Sequence, residues 1–373
     1  MSQIIKRIRI DWMAFSSALA LALFGLLTMG SFTAQDPFFF RQALWILVSV
    51  IVFFGAAALD WRFLRRGAVA AGAYLALIVP LAGLFLLGTA LQGARSWFDL
   101  GALAVQPAEF AKIIMIIALA KYFSRRHIEI ANFRHILVSG AYAAIVFVLI
   151  ALQPDFGSAI IIAAIWLLMV LFSGISRKHL FITIAVGISV LAGLWVFGFE
   201  DYQKQRVLTF LNPLADIHGA GYNAYQSTVA VGSGELVGKG VGYGTQSKLR
   251  FLPEYQTDFI FAAFAEEWGF AGTVLLFALY GVLFWRILHS AMRGASNFET
   301  LFAVGVLCYF GAHFALHVGI NLGLLPVTGT TIPFMSYGGS HLLAEFLSLG
   351  ILSGMNSYAR AAHRDALDRE LTI

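Results

Sequence analysis

Apolar residues fill most of the chain in runs of about 20, separated by short polar and basic segments. Because a helix that crosses a bilayer needs roughly 20 apolar residues, each run predicts a membrane span. Ten spans are predicted, near Trp12–Thr33, Phe40–Leu59, Ala68–Leu87, Pro107–Tyr122, Ile136–Leu152, Phe156–Phe172, Leu180–Phe199, Phe259–Trp285, Leu301–Leu322 and Ser340–Tyr358. The pattern therefore predicts an all-α integral membrane protein, with one multi-pass membrane domain over residues 1–373.

The composition excludes a soluble globular protein. Of 373 residues, 60% are hydrophobic and 12% are charged, whereas soluble domains carry about 25% charged residues. Cys308 is the single cysteine, so an intrachain disulfide is impossible and the redox compartment stays undetermined. The first apolar run exceeds a signal-peptide core in length, and we expect it to stay as an anchor.

Lys and Arg are unevenly distributed between alternate loops. Loops on the side of the N-terminus carry 17 of them, and loops on the other side carry 7. Since cytoplasmic loops are the basic ones, both termini are predicted to be cytoplasmic. The longest loop, about residues 200–258 between spans seven and eight, is then extracytoplasmic. Its Gly, Tyr and Gln content favours an ordered cap over a disordered linker.

A carboxylate, Asp258, stands where this outer loop enters the eighth span. Desolvation at that boundary can raise the pKa of an aspartate and make it a better base near neutral pH. The alternative is structural, because Thr257 and Asp258 occupy positions where a helix N-cap and first turn belong. The two roles are compatible.

Ionisable residues also lie inside the predicted spans, where they need partners. Glu266 and Glu267 are roughly 12 Å along the eighth span from Asp258. Lys112 is one candidate partner for these two carboxylates, but Glu109 precedes Lys112 by three residues and could pair with it along the helix. For Glu109 a structural role at a helix start is favoured, and for Lys112 a functional one.

Other polar positions gather on the predicted outer side. Asp155 follows Gln153-Pro154. It either interacts favourably with the dipole of the helix that follows or faces a ligand. Arg95 precedes Ser96-Trp97 and is either an interfacial anchor or a clamp for an anionic head group. The Gly- and Pro-rich segment Gly323–Ser340, which contains Ser336, is predicted to break the helix and to wall the cavity that Asp258 faces.

Two further motifs have structural alternatives. His313, His317 and Asn321 form one stripe on the ninth span, and interhelical hydrogen bonding is favoured over a metal site there. The glycine-rich segment around Gly238-Lys239-Gly240 lacks the spacing of a Walker loop or of a dinucleotide loop. A flexible turn is its structural alternative.

Three of these segments resemble one family, the shape, elongation, division and sporulation (SEDS) proteins, which are multi-pass peptidoglycan polymerases. They are Gln153-Pro154-Asp155-Phe156-Gly157, Leu252–Ala262 and Leu325–Ser340, in the family's order and on the outer side. Within the family, Asp201–Val207, Gly219–Tyr222 and Gly244–Ser247 are more similar to the elongation branch than to the division branch.

The resemblance implies a glycosyltransferase that polymerises lipid II, with Asp258 matching the family's essential aspartate. It places Arg95 and Lys112 in the segment that supplies basic residues to the substrate cavity, although some relatives have the arginine directly before the tryptophan. We expect an inverting displacement with Asp258 as general base, in which Arg95, Lys112, Lys239 or a divalent cation (Mg²⁺ or Mn²⁺) steadies the departing phosphates. Substrate contacts are also expected from Glu109, Asp155, Glu266 and Ser336.

The resemblance further implies a class B penicillin-binding protein as partner and the bacterial cytoplasmic membrane as location. Two rival functions remain. One is a transporter (flippase) of lipid-linked cell-wall precursors, which would use Lys112, Glu266 and the histidine stripe as a polar path. The other is a non-catalytic scaffold for the penicillin-binding protein.

Overall fold

The computed structural model describes residues 10–30, 37–91, 94–99, 104–124, 133–198, 201–212, 221–249 and 251–370. Helices in this part of the chain are α1 (Trp12–Gly30), α2 (Pro37–Ala58), α3 (Gly67–Leu87), α4 (Pro107–Ser124), α5 (Phe133–Ala151), α6 (Phe156–Phe172), α7 (Arg177–Phe197), α8 (Asp201–Leu211), α9 (Tyr222–Ser233), α10 (Thr245–Lys248), α11 (Ile260–Met292), α12 (Asn297–Asn321) and α13 (Gly339–Glu370). A 3₁₀ turn, Trp61–Arg65, joins α2 to α3.

All ten predicted spans coincide with helices, namely α1 to α7 and α11 to α13. Seven of the ten are long and apolar enough to cross a bilayer by that measure alone, and α6 is a shorter apolar helix. The other two, α4 and α13, carry ionisable residues inside the bundle, which lowers their hydropathy. The predicted C-terminal ends of spans one and seven, Thr33 and Phe199, lie outside the described residues.

The span α12 lies inside the bundle, where it packs against α11, α4 and α6. Its apolar residues are buried on nearly every side, as expected of a helix that other helices surround. Around it, α13 packs on α2, and α11 packs on α1. By contrast, the apolar stretch of α7 has no buried residue, so α7 lies at the periphery of the bundle.

A small antiparallel sheet follows α3, which the all-helical prediction did not contain. Its strands are β1 (Thr89–Leu91), β2 (Ala94–Asp99) and β3 (Ala104–Val105), in the order β1-β2-β3. Thr89 pairs with Trp97, and Phe98 pairs with Val105. Strands of two to six residues in a loop give no periodic signal long enough for recognition from sequence.

The long helix α11 is broken at Gly269, where φ is 65° and ψ is −165°. Segment 235–240 of the outer loop supplies the hydrogen bonds that the break removes. The bonds run from Phe270 N to Glu235 O (2.9 Å), Ala271 N to Leu236 O (3.0 Å), Lys239 N to Glu266 O (3.0 Å) and Gly240 N to Glu267 O (3.0 Å). The glycine-rich segment is therefore a fixed bracket on α11, and its interpretation as a flexible turn is wrong.

Glycine is required where the bracket meets the helix. A Cβ at Gly238, whose φ is 79°, would stand 2.1 Å from Glu267 O. A Cβ at Gly269 would stand 2.2 Å from Gly238 N. Only residues without a side chain let the two backbones approach this closely.

Candidate active site

Three hydrogen bonds fix the segment that carries Asp258, one on each of three successive carbonyl oxygens. They join Gln256 O to Tyr337 N (2.8 Å), Thr257 O to Ser336 Oγ (2.8 Å) and Asp258 O to Asn321 Nδ2 (2.9 Å). The donors come from the segment before α13 and from the end of α12. The backbone at Asp258 is therefore held by two elements distant in sequence.

The carboxylate of Asp258 does not cap the helix that follows it. α11 begins at Ile260 with the apolar residue Phe259 at the N-cap position. The N–H of Ala262 in its first turn donates to Asn321 Oδ1 at 3.1 Å and not to the Asp258 carboxylate. The N–H of Asp258 donates to Glu254 O at 3.1 Å in the preceding turn. The interpretation of Asp258 as a helix cap is therefore wrong. Its carboxylate is not used to cap α11.

The surroundings raise the pKa of Asp258 to about 7. Burial is the largest cause, because it disfavours the charged form, and the negative charge of Glu254 acts in the same direction. Arg206 in α8 opposes the rise, Asp155 adds to it, and a hydrogen bond with Thr257 lowers the pKa slightly. The prediction of a raised pKa is confirmed, and it suits a base that works near neutral pH.

Asp155 lies near Asp258 and caps α6. Its Oδ1 accepts a hydrogen bond from Ser158 N at 3.0 Å, and its Oδ2 accepts one from the Gln106 side-chain amide at 2.8 Å. Burial raises the pKa of Asp155, although the hydrogen bonds from Ser158 partly oppose it. The structural alternative for Asp155 is confirmed, and a contact with substrate stays a prediction.

Gly329 packs between the starts of α6 and α11. A Cβ at Gly329, whose φ is 70°, would lie 3.4 Å from Asp258 Oδ2. A Cβ at Gly157 would lie 2.7 Å from Gly329 O. The Gly- and Pro-rich segment before α13 therefore lies directly against Asp258, as expected of a wall of its site.

A row of four ionisable side chains lies at the buried centre, between α4 and α13. In order they are Lys112, Glu109, His341 and Glu345, with successive contacts of 2.7, 2.8 and 2.9 Å. All four are buried, and the Lys112 ammonium also lies 5.7 Å from the centre of the Tyr309 ring. Lys112 thus takes Glu109 as its partner, and the alternative pairing with Glu266 is wrong.

The Glu266 carboxylate has its hydrogen-bond and charge partners in the loop between α7 and α11. Its Oε1 lies 2.8 Å from Lys239 Nζ and accepts hydrogen bonds from the Thr245 hydroxyl at 3.0 Å and from Gln246 N at 3.1 Å. The neighbouring Glu267 accepts one from Gly242 N at 2.7 Å. Lys239 and Glu266 were expected to face the substrate, but their side chains instead bind each other where the loop meets α11.

Ser336 and Arg95 complete the set of predicted site residues. Ser336 is fully buried, donates to Thr257 O and accepts from Ile332 N at 2.9 Å, so its hydroxyl supports the Asp258 segment. A contact of Ser336 with substrate stays a prediction. Arg95 lies in β2, and its side chain lies outside the described part of the chain.

Sequence reasoning missed four charged residues of this region. Glu254 and Arg206 influence the pKa of Asp258. Both lie in segments that carry the family resemblance, Leu252–Ala262 and Asp201–Val207, but the sequence does not show that their charges act on Asp258. His341 and Glu345 extend the buried row. A signal for this pair was present, because two ionisable residues at i and i+4 inside an apolar span need a partner.

A match to a protein-family model shows which family the chain belongs to. The family model described as cell cycle protein, for the FtsW, RodA and SpoVE proteins, matches residues 5–361. The chain belongs to this family. Its multi-pass membrane fold is therefore the fold of the SEDS proteins, as the resemblance of the outer segments implied.

Relatives within the SEDS family cover most of the chain. Stage V sporulation protein E of Bacillus subtilis is 35% identical over 334 residues, which cover 87% of this chain and 89% of the relative. Peptidoglycan glycosyltransferase MrdB of Escherichia coli K12 is 36% identical over 287 residues, or 77% of each chain. Several relatives are named as probable peptidoglycan glycosyltransferase FtsW. The choice between elongation and division branches stays a prediction.

Two solved structures have a similar fold. A chain from a peptidoglycan synthase complex, studied for the coordination of polymerization and crosslinking, matches with a TM-score of 0.80 and 30% identity, covering 94% of this chain and 99% of that one. The rod shape determining protein RodA of Thermus thermophilus matches with a TM-score of 0.70 and 29% identity, covering 94% and 97%.

Proposed function

We propose that this SEDS protein is a peptidoglycan glycosyltransferase that polymerises lipid II into β-1,4 glycan strands, with Asp258 as the general base. The geometry of Asp258 carries the proposal. The backbone of residues 256–258 is fixed through its three carbonyls, the Asp258 side chain does not cap α11, and the pKa of Asp258 is raised to about 7. A general base is most effective when its pKa lies near the working pH.

The reaction needs one proton acceptor. A β-1,4 bond from an α-linked diphosphate donor forms by inversion, when the 4-hydroxyl of the acceptor sugar attacks the anomeric carbon. Asp258 takes the hydroxyl proton as the new C–O bond forms, and the bond to the diphosphate breaks with its electron pair. Because diphosphate is already a good leaving group, the second carboxylic acid of glycosidases is not required.

Positive charge near the departing phosphates stabilises the transition state. Arg95 and Lys112 are the cations that the family resemblance assigns. Lys112 is close enough to influence the pKa of Asp155, so the buried row and the site of Asp258 are neighbours. Lys239 is less suited to this role, because Glu266 already holds its ammonium.

A divalent cation, Mg²⁺ or Mn²⁺, remains a proposal. The described residues contain no group of three or more His, Cys, Asp or Glu side chains that could hold a metal ion. They therefore do not form a metal cage by themselves. Magnesium is commonly held by one or two carboxylates together with substrate phosphates, so a cation would enter with lipid II. Polymerisation with EDTA and with added Mg²⁺ or Mn²⁺ tests this.

The proposed partner is a class B penicillin-binding protein, and the proposed location is the bacterial cytoplasmic membrane with both termini inside. The complex of a structural relative in which polymerization and crosslinking are coordinated supports the partner. The basic loops support the orientation. Two ion pairs, Arg286 with Asp11 and Arg65 with Glu299, lie at the ends of spans predicted to be cytoplasmic.

Purified protein with lipid II, analysed for glycan strands on a gel, tests the function. Asp258→Asn keeps the size of the side chain and removes the base, so we expect a loss of about 10²–10⁴-fold. A wild-type protein that moves lipid II across vesicles without forming polymer would support the transporter instead. Polymer formation at the wild-type rate by Asp258→Asn would remove the base assignment.

A further inference from the structure

Asn321, the last residue of α12, joins two backbone groups of the segment that carries Asp258. Its side chain is fully buried. The amide nitrogen donates to Asp258 O at 2.9 Å and to His317 O at 2.8 Å, and the amide oxygen accepts from Ala262 N at 3.1 Å. Its own carbonyl accepts from the Ser227 hydroxyl at 2.9 Å. Asn321 is thereby tied to α9 and α12 as well as to α11.

The two backbone groups that Asn321 joins, Asp258 C=O and Ala262 N–H, would bond to each other in a regular α-helix. In an α-helix, the N–H of residue i donates to the carbonyl of residue i−4, and Ala262 and Asp258 have that spacing. Here they do not bond to each other. Instead, the Asn321 amide stands between them, accepting from the N–H and donating to the carbonyl. The next pair is regular, because Ala263 N donates to Phe259 O at 3.0 Å.

An amide side chain is suited to this place because it has the donor and the acceptor of a peptide group. It satisfies both backbone groups while keeping Asp258 outside the regular helix. Aspartate lacks the donor when ionised, and leucine lacks both groups. An amide is also uncharged, so it adds no net charge beside the proposed base.

We infer that Asn321 is a positioning residue, which holds the backbone of Asp258 in the orientation that proton transfer requires. The inference rests on the proposed function, because it takes Asp258 to be the base. Asn321 does not touch the substrate in this role. It acts through the carbonyl of Asp258, and a displacement of about 1 Å at a reacting group can cost about 100-fold in rate.

Two variants test the role. Asn321→Leu keeps the branched shape and the number of heavy atoms but removes all three side-chain hydrogen bonds, and Asn321→Gln keeps the amide but adds one methylene. The matched control is Asn356→Leu, because Asn356 is also a buried asparagine, its amide donates to Ser290 Oγ at 2.8 Å, and it lies at the other end of the bundle. All three proteins are first compared with wild type by thermal unfolding in detergent.

Hydrogen exchange gives a readout that does not depend on catalysis. Mass spectrometry of peptides that cover residues 258–268 is expected to show faster exchange in Asn321→Leu than in Asn356→Leu, because the Ala262 amide loses its acceptor. Equal exchange in the two variants would overturn the bridging geometry. This outcome is distinct from a failure of the proposed function, which full activity of Asp258→Asn reports.

Steady-state polymerisation gives the second readout. We expect Asn321→Leu to lower kcat about 100-fold, with little change in the KM for lipid II. Asn356→Leu is expected to retain near wild-type kcat, and Asn321→Gln to fall between the two. A loss in Asn321→Leu that equals the loss in Asn356→Leu, or that appears in KM alone, contradicts the positioning role.

The pH profile separates positioning from a loss of folded protein. When its backbone is released, the Asp258 carboxylate gains access to water, so the acidic limb of kcat is expected to move to lower pH. Glu254, Asp155 and Arg206, the charged groups that influence Asp258, are unchanged in the variant. A reduced amplitude with an unmoved limb indicates a merely structural role and overturns the inference.

Discussion

Lys112 Nζ lies 2.7 Å from Glu109 Oε1, and both side chains are buried between helices. Removing Lys112 leaves the Glu109 carboxylate with His341 as its remaining ionisable neighbour in the row, and breaking a buried ion pair typically costs about 3–5 kcal/mol. We therefore expect Lys112→Met to lower the unfolding temperature clearly. Glu109→Gln combined with Lys112→Met is expected to recover only part of the loss, because it also removes the contact of Glu109 with His341.

The exposed pair Arg62 and Asp60 is the control for that experiment. Their side chains are 61% and 52% exposed, so Arg62→Met should change the stability by less than about 1 kcal/mol. Thermal unfolding in detergent compares the variants. Equal losses in Lys112→Met and Arg62→Met would contradict the buried ion pair.

Two substitutions are expected to shift the pH profile in opposite directions. Glu254 raises the pKa of Asp258, so Glu254→Gln should move the acidic limb of polymerisation to lower pH. Arg206 lowers that pKa, so Arg206→Gln should move the limb to higher pH. Initial rates of polymerisation between pH 5 and 9 locate the acidic limb in each variant. Shifts of the same sign in the two variants would speak against direct electrostatic effects on Asp258.

Asp258 should also affect stability. Its pKa is about 7 in the folded protein and about 3.9 when unfolded, so the folded state binds more protons between these values. Its contribution to stability therefore falls as pH rises from about 4 to 7, by at most about 4 kcal/mol. Asp258→Asn removes this penalty and should raise the unfolding temperature at pH 8 but not at pH 4. An equal effect at both pH values would not fit the raised pKa.

Substitution of Gly269 tests whether the break in α11 requires glycine. Gly269→Ala forces a side chain into a left-handed backbone conformation and against Gly238 N, so a loss of at least about 3 kcal/mol is expected. Gly281, in the same helix, has no atom within 4 Å of an added Cβ. Gly281→Ala should be neutral or stabilising by up to about 1 kcal/mol. If both variants unfold at the same temperature, the bracket does not constrain the helix.

The sequence predicts the spans and part of the site. Each span is visible because its signal is local, a run of apolar residues as long as the bilayer is thick. The pairing of Glu109 with Lys112 was also accessible, since the two lie three residues apart on one helix. Local patterns of this kind identify elements and neighbours along a helix.

Contacts between distant segments were not accessible in this way. Asn321 bonds to Ala262 across 59 positions, and Lys239 reaches Glu266 across 27. The spacing of the histidine stripe indicates one polar face of α12, but not which backbone groups its members bind. The break at Gly269 gives no signal either, because glycine is frequent within membrane helices.

The bracket on α11 couples the loop segment 235–240 to the proposed proton acceptor. Four backbone hydrogen bonds and the contact of Lys239 with Glu266 join the outer loop to the helix on both sides of Gly269. The nine residues from Ile260 to Trp268 are thus clamped to the loop as well as continuous with the membrane span. Any displacement of the loop is therefore transmitted through this short helical segment to Asp258.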